Sequence, residues 1–202
     1  MQRSTRWMIG ASMLLAAAMT PVFAGKYNKT LDVGDAAPQF SALQGIDGKI
    51  YSLADFAKKD VVVVVFTCNH CPVAQAYHER FNAFNAKYKE KPVGFVAINV
   101  NATPKESVDA MKEFAKENDL QYVYAADETQ KSGKAYGASV TPHVFVLDKE
   151  RKIAYMGAWD DSPMNADKVE KTYAINAVDA LLAGKKPEVT ETQQVGCGIR
   201  YQ

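Results

Sequence analysis

The sequence predicts an α/β domain built on a central mixed sheet flanked by helices, and three observations predict it. Two continuous apolar, β-branched runs, residues 61–66 and 93–98, have the composition of strands buried on both faces. Each run is followed by a segment whose apolar residues recur every three or four positions, the spacing of a helix with one buried side. Farther on, residues 143–147 and 152–156 flank a polar turn at 148–151 and read as an antiparallel hairpin. Strands alternating with helices imply a parallel core sheet, and the hairpin makes it mixed.

The elements follow in chain order. Residues 1–24 read as a signal peptide, with Arg3 and Arg6 as the basic start, an apolar stretch at 8–19, and Val22, Phe23 and Ala24 before the cleavage point. That stretch is shorter than the roughly 20 residues a membrane span needs. Cleavage after Ala24 predicts an exported protein, periplasmic or extracellular, with a domain at 25–184 and a polar C-terminal tail at 185–202. The apolar segments 40–43 and 49–51, joined through Asp47-Gly48, form an N-terminal hairpin. Ser52 and Asp55 resemble a capping box for a short helix. A long helix is expected over about 70–89, with Val73, Tyr77, Phe81, Phe84 and Tyr88 inward. Thr103-Pro104-Lys105-Glu106 reads as the capped start of a helix bearing Val108, Met111, Phe114 and Ala115. A strand at 122–125, a short helix at 129–136 ended by Gly137, and a last helix at 166–183 complete the order.

Composition limits the function. The chain of 202 residues is 48% hydrophobic and 23% charged, as in ordinary globular proteins. Its formal charge of +1 becomes −1 once Arg3 and Arg6 are removed. Near-neutrality gives no support for nucleic-acid binding or for attraction to a membrane surface after signal cleavage. The motifs call for no cofactor. Three cysteines leave one pair and one odd thiol.

The pair is Cys68 and Cys71, in the stretch Cys68-Asn69-His70-Cys71-Pro72, at the handover from the first buried strand to the long helix. The pattern places Cys68 at the helix N-terminus, where backbone N–H groups stabilise a thiolate, and Cys71 one turn in and more buried. Cys68 then attacks a disulfide and Cys71 resolves the mixed disulfide. A zinc site needs about four ligands, and no second Cys-x-x-Cys or His-x-x-x-His pair stands in the chain.

The Cys68-x-x-Cys71 motif after a buried strand, Thr141-Pro142 before a later strand, and the hairpin with terminal helix together resemble the thioredoxin superfamily. Gly34-Asp35-Ala36-Ala37-Pro38-Gln39-Phe40, Asp47-Gly48-Lys49 and Ser52 to Phe56 are similar to the N-terminal extension of its alkyl hydroperoxide reductase and thiol-specific antioxidant branch. The resemblance covers roughly residues 33–183. It implies a thioredoxin-like fold and a thiol-disulfide oxidoreductase acting on protein thiols and disulfides with a redox partner. It also implies that Pro142 is cis and faces the thiols, and that the Thr141 backbone pairs with an extended substrate. Two features depart from relatives. Val62 stands where many thioredoxins carry a buried acid. With Cys71 aligned to the peroxidatic cysteine, Cys68 and Val64 replace the Thr and Pro of the peroxiredoxin signature, which weighs against a thiol peroxidase.

Remaining residues carry alternatives. Protonated His70, between the cysteines, lowers a thiolate's pKa and makes the pair more oxidising; a solvated helix residue is the other reading. His78 reads as a core-edge residue, and His143 directly follows Pro142. With the thiols, His70 and His143 leave a copper- or other metal-binding protein as an alternative function. Cys197, between Gly196 and Gly198, is either a free tail thiol or a built-in substrate exchanging disulfides with Cys68. Asp160 and Asp161 read as a solvated turn.

Overall fold

A computed structural model describes residues 25–202 of the chain. The expected signal segment therefore lies outside the described residues. Strands β1 (Leu43–Gly45) and β2 (Ile50–Tyr51) pair antiparallel across the Asp47-Gly48 turn. A short 3-10 turn, Leu53–Phe56, follows, and the Asp55 carboxylate accepts from the Ser52 backbone N–H at 2.6 Å. The apolar runs form β3 (Val61–Thr67) and β4 (Val93–Asn99), buried along their whole length and paired in parallel from Val61↔Val93 to Thr67↔Asn99. Between them lie α1 (Pro72–Gln75) and α2 (His78–Tyr88). After β4 come a 3-10 turn at Pro104–Glu106, α3 (Val108–Glu117), β5 (Val123–Ala126) and α4 (Lys131–Tyr136). The chain continues through β6 (Val140–Thr141), β7 (His143–Leu147), β8 (Ile153–Gly157), α5 (Tyr173–Leu182) and β9 (Cys197–Gly198).

The main sheet runs β2-β1-β5-β4-β3-β7-β8, with β3, β4 and β5 parallel and β1, β7 and β8 antiparallel to their neighbours. Alternation along β3 splits the core into two layers. Val61, Val63 and Val65 pack with Phe81, Phe84, Met111, Trp159 and Val178 under α2, α3 and α5. Val62, Val64 and Phe66 pack with Phe40, Phe56, Tyr136, Phe145 and Met156 on the opposite side, beneath α4 and the N-terminal segment. Full burial of each such side chain contributes on the order of 1.5–3 kcal/mol. The carboxyl end of β3, at the centre of the sheet, therefore has a rigid base on both faces.

Four expectations need correction. The helix expected over 70–89 is two helices, broken at Ala76 and Tyr77, and it begins at Pro72 with Cys71 as N-cap. Cys68 lies in the preceding loop, not at the helix N-terminus. The capping group of α3 is Ser107, whose Oγ accepts from Ala110 N–H at 3.3 Å, and Glu106 is turned inward instead. The final α-helix begins at Tyr173 rather than 166, because residues 166–168 form a separate 3-10 turn. Residues 185–202 return across the domain: Met156 N–H donates to the Thr190 carbonyl, Thr192 N–H to that of Met156, and Ile199 N–H to that of Ser139.

Candidate active site

The loop from β3 to α1 is fixed from below by a buried polar network that sequence reasoning missed. The Glu106 carboxylate, with no exposed side-chain surface, accepts the backbone N–H of Asn69 at 2.9 Å and of His70 at 3.2 Å. It also accepts from Asn99 Nδ2 and pairs with His70 Nδ1. Tyr124 donates its hydroxyl to Asn69 Oδ1 at 2.8 Å, and Asn69 Nδ2 donates to the Lys105 carbonyl at 3.0 Å. The anchors come from Asn99 at the carboxyl end of β4, from Tyr124 within β5 and from the 3-10 turn after β4. A buried carboxylate is tolerated because its lone pairs are filled with donors. The only signal in the sequence was the position of Glu106 in an apparent capping box, which pointed to a different use.

Above this loop stands the Thr141–Pro142 peptide, which is cis. Cys68 Sγ lies 3.1 Å from Thr141 Oγ1, and the Cys71 thiol donates to the Thr141 carbonyl at 3.1 Å. Both thiols are buried, Cys68 at 1% and Cys71 at 0% exposure, so the expected contrast between an exposed first and a buried second cysteine is absent. Cys71 is the thiol whose ionised form is stabilised. A hydrogen bond from the Cys68 thiol, helped by the Cys197 thiol and by the Ala74 and Cys197 backbone N–H groups, overcomes burial and lowers its pKa to about 4. Helix α1 has four residues and little macrodipole, so discrete donors supply the effect. The Cys68 pKa is raised, first by its bond to Cys71, then by burial, with the Glu106 charge adding to it.

The third thiol completes the group. β9 pairs antiparallel with β6 in the register Thr141↔Cys197 and Val140↔Gly198. Cys197 Sγ lies 2.7 Å from Cys71 Sγ, whereas the sequence expectation paired it with Cys68. The reason is register: Cys197 stands opposite Thr141, whose carbonyl already receives Cys71. Cys197 remains partly exposed, and contact with Cys71 and desolvation raise its pKa to about 11.

The histidines separate. His70 keeps an exposed ring edge and turns Nδ1 to Glu106. His78 is buried edge-on against Phe114, ring centroids 5.1 Å apart, and burial lowers its pKa to about 4. His143 is buried on Phe145, its Nδ1 has no partner, and burial lowers its pKa to about 3. Among the described residues, Cys68 Sγ, His70 and Glu106 bring three donor atoms within 4.8 Å of one another. Asp160 is not the solvated residue expected: it is buried, accepts the Tyr77 hydroxyl at 2.9 Å and pairs with Arg80 at 2.6 Å.

Comparison with known proteins bears on the family and the fold. The family model described as Redoxin matches residues 32–173. The thiol-disulfide oxidoreductase ResA of Bacillus thuringiensis is 30% identical over 145 residues, covering 70% of this chain and 79% of that protein. An uncharacterized conserved protein from Geobacillus kaustophilus is 34% identical with a TM-score of 0.80, covering 87% of this chain and 95% of that one. A hypothetical protein from Sinorhizobium meliloti is 32% identical with a TM-score of 0.79, covering 87% and 97%. The architecture is the thioredoxin-like one that the sequence predicts.

Proposed function

Since the chain belongs to the redoxin family, we propose that it is an exported thiol-disulfide oxidoreductase working through Cys68 and Cys71. The observation that carries this reading is the pair of sulfurs set against one residue, Thr141, each 3.1 Å from an oxygen of it. A substrate strand pairing with β6 brings its own sulfur to that place. The name of the ResA relative agrees with the chemistry.

The step order is read from which sulfur the docked strand meets: Cys197, opposite Thr141, lies 2.7 Å from Cys71. Cys71, whose thiolate is stabilised, attacks the substrate disulfide; one substrate sulfur leaves as thiolate and a Cys71–substrate disulfide forms. Cys68, deprotonated as the leaving thiolate takes up a proton, attacks the Cys71 sulfur, yielding the Cys68–Cys71 disulfide and reduced substrate. These roles reverse the ones expected from sequence, because a sulfur docked opposite Thr141 meets Cys71 rather than Cys68. The reaction runs in the opposite direction when substrate thiols are oxidised. A stabilised thiolate stabilises the reduced pair and makes the disulfide more oxidising, so the pair's potential is expected above the roughly −270 mV of thioredoxin. Equilibration with glutathione measures it, and a value at or below about −270 mV contradicts the assigned Cys71 thiolate.

Export rests on Arg3, Arg6, the apolar stretch and Ala24, and no helix among the described residues is long and apolar enough to cross a membrane. A mature protein beginning at Gly25, read by intact mass, tests it. A second reading is carried by Cys68, His70 and Glu106, whose donors would suit a divalent metal better than Cu(I), which prefers thiolates. Calorimetric titration of the reduced protein with Zn2+ tests that reading; binding that His70→Ala abolishes supports it, and no binding removes it.

A further inference from the structure

The C-terminal strand occupies the place assigned above to a substrate. It pairs with β6 beside the cis peptide, with Cys197 opposite Thr141 and its sulfur 2.7 Å from Cys71. The approach is built into the tail. A Cβ at Gly196 would fall 2.1 Å from the Thr141 carbonyl oxygen and 3.1 Å from the Pro142 nitrogen, so only glycine lets the strand lie this close. Bonds on its C-terminal side hold it: Ile199 N–H donates to the Ser139 carbonyl at 2.9 Å, the Tyr201 hydroxyl to the Ala138 carbonyl at 2.6 Å, and Gln202 N–H to Gln130 Oε1 at 2.8 Å. Under this strand Cys68 and Cys71 are sealed from solvent, while Cys197 stays partly exposed. Its outer side faces a cleft lined by His70, Thr103, Lys105, Arg200 and Tyr201.

From this arrangement we infer that Cys197 is a third exchange thiol, which carries the disulfide between the buried Cys68–Cys71 pair and partner protein thiols arriving in the cleft. The inference rests on the oxidoreductase reading above. Starting from the oxidised pair, Cys197 attacks Cys71 Sγ, its thiol proton being given up as Cys68 takes one. The Cys71–Cys197 bond forms, the Cys68–Cys71 bond breaks, and Cys68 leaves as thiolate and takes a proton. A partner thiolate then attacks the exposed Cys197 sulfur and Cys71 leaves as thiolate, which its donors make a good leaving group. A second partner thiol resolves that mixed disulfide. The partner ends with a disulfide, Cys197 returns to the thiol, and the two electrons rest on Cys68 and Cys71. The reverse order reduces a partner disulfide. Lys105 and Arg200 give the cleft a basic rim that draws partner thiolates.

The test uses the full chain and a reduced peptide dithiol as partner. Wild-type protein oxidised with glutathione disulfide and quenched in acid should give, on non-reducing peptide mapping, a peptide linking 71 to 197 besides the one linking 68 to 71; Cys68→Ser should give the 71–197 link alone. Cys197→Ser should retain the 68–71 link and oxidise the peptide at least tenfold more slowly, because the docked tail still covers Cys71. Adding Gly196→Ala to Cys197→Ser, which lifts the tail, should restore the rate. No 71–197 link, or an undiminished rate in Cys197→Ser, overturns the role of Cys197 while leaving the pair's activity in place. A wild-type protein that exchanges with no dithiol or disulfide overturns the oxidoreductase reading itself.

Discussion

Two regions close around the same sulfurs, and they are built in opposite ways. The loop carrying Cys68 and Cys71 is held from inside by buried polar groups: Glu106, Asn99 and Tyr124 each spend a hydrogen bond on it or on one another. The C-terminal strand is held from outside by two paired residues, peripheral bonds and one glycine that lets it approach. Removing a partner from the first leaves unsatisfied groups in a dry site; loosening the second exposes groups to water that can solvate them. The loop is therefore a fixed platform and the tail a releasable cover. Pre-organised reacting groups belong on rigid elements, and an exchanging segment belongs where opening costs little.

The comparison breaks hardest at the attacking sulfur. Cys71→Ser should slow exchange by on the order of a thousandfold, as loss of a nucleophile does. Cys68→Ser should still react through Cys71, its disulfide passing to Cys197 and leaving a link between 71 and 197. An equal loss in both variants, with the adduct in Cys71→Ser mapping to Cys68, contradicts the assigned order. Next comes the platform itself. Glu106→Ala strips the acceptor from Asn69 N–H, His70 N–H and Asn99 Nδ2, and should lower unfolding free energy by about 3 kcal/mol in urea titration. A change below about 0.5 kcal/mol, the usual effect of a surface substitution, shows that the network does not support the loop.

The cover should respond more mildly. Gly196→Ala is expected to cost about 1 kcal/mol or less globally, since the tail can lift into water, yet to open the buried thiols to hydrogen exchange and alkylation. A large global loss without local opening would make the tail part of the platform.

The smallest effect concerns acid. His143 and His78 are buried, with pKa values lowered to about 3 and about 4, so the folded state keeps them neutral where the unfolded chain protonates them. Their contribution to stability is intact above the unfolded value near 6.5 and is lost as pH falls from there toward 3, by up to about 1.4 kcal/mol per pH unit for each. His143→Phe, which keeps a ring on Phe145 and removes the partnerless Nδ1, should flatten that loss. An unchanged acid profile would mean that His143 is not buried neutral.

How much of this was legible in the sequence follows the same division. The buried runs at β3 and β4, the turn at Asp47-Gly48, the late hairpin, the thiol pair and the cis Pro142 all carry local signals: composition, turn chemistry or a motif. Glu106 carried a misleading one. A Thr-Pro-x-Glu start is a helix cap by local rules, and only the crossing of the β4 edge under the loop turns the carboxylate inward. The start of α1 was likewise misplaced, because where the helix opens depends on how Glu106 holds the backbone of Asn69 and His70. For the tail, a polar stretch with no periodicity gave no sign of a strand. Gly196-Cys197-Gly198 was its one clue, and the choice of Cys71 over Cys68 came from register against β6, which no local pattern encodes.

The most direct test is the order in which the three thiols of the native, reduced protein react with iodoacetamide, followed by mass spectrometry. The account predicts Cys197 first and Cys68 and Cys71 protected. In Gly196→Ala, Cys71 joins Cys197 as a labelled thiol, because the Cys68 thiol and the Ala74 N–H still favour its thiolate once the tail lifts. Labelling of Cys68 first, in either protein, would contradict both the cover and the assignment of the attacking sulfur.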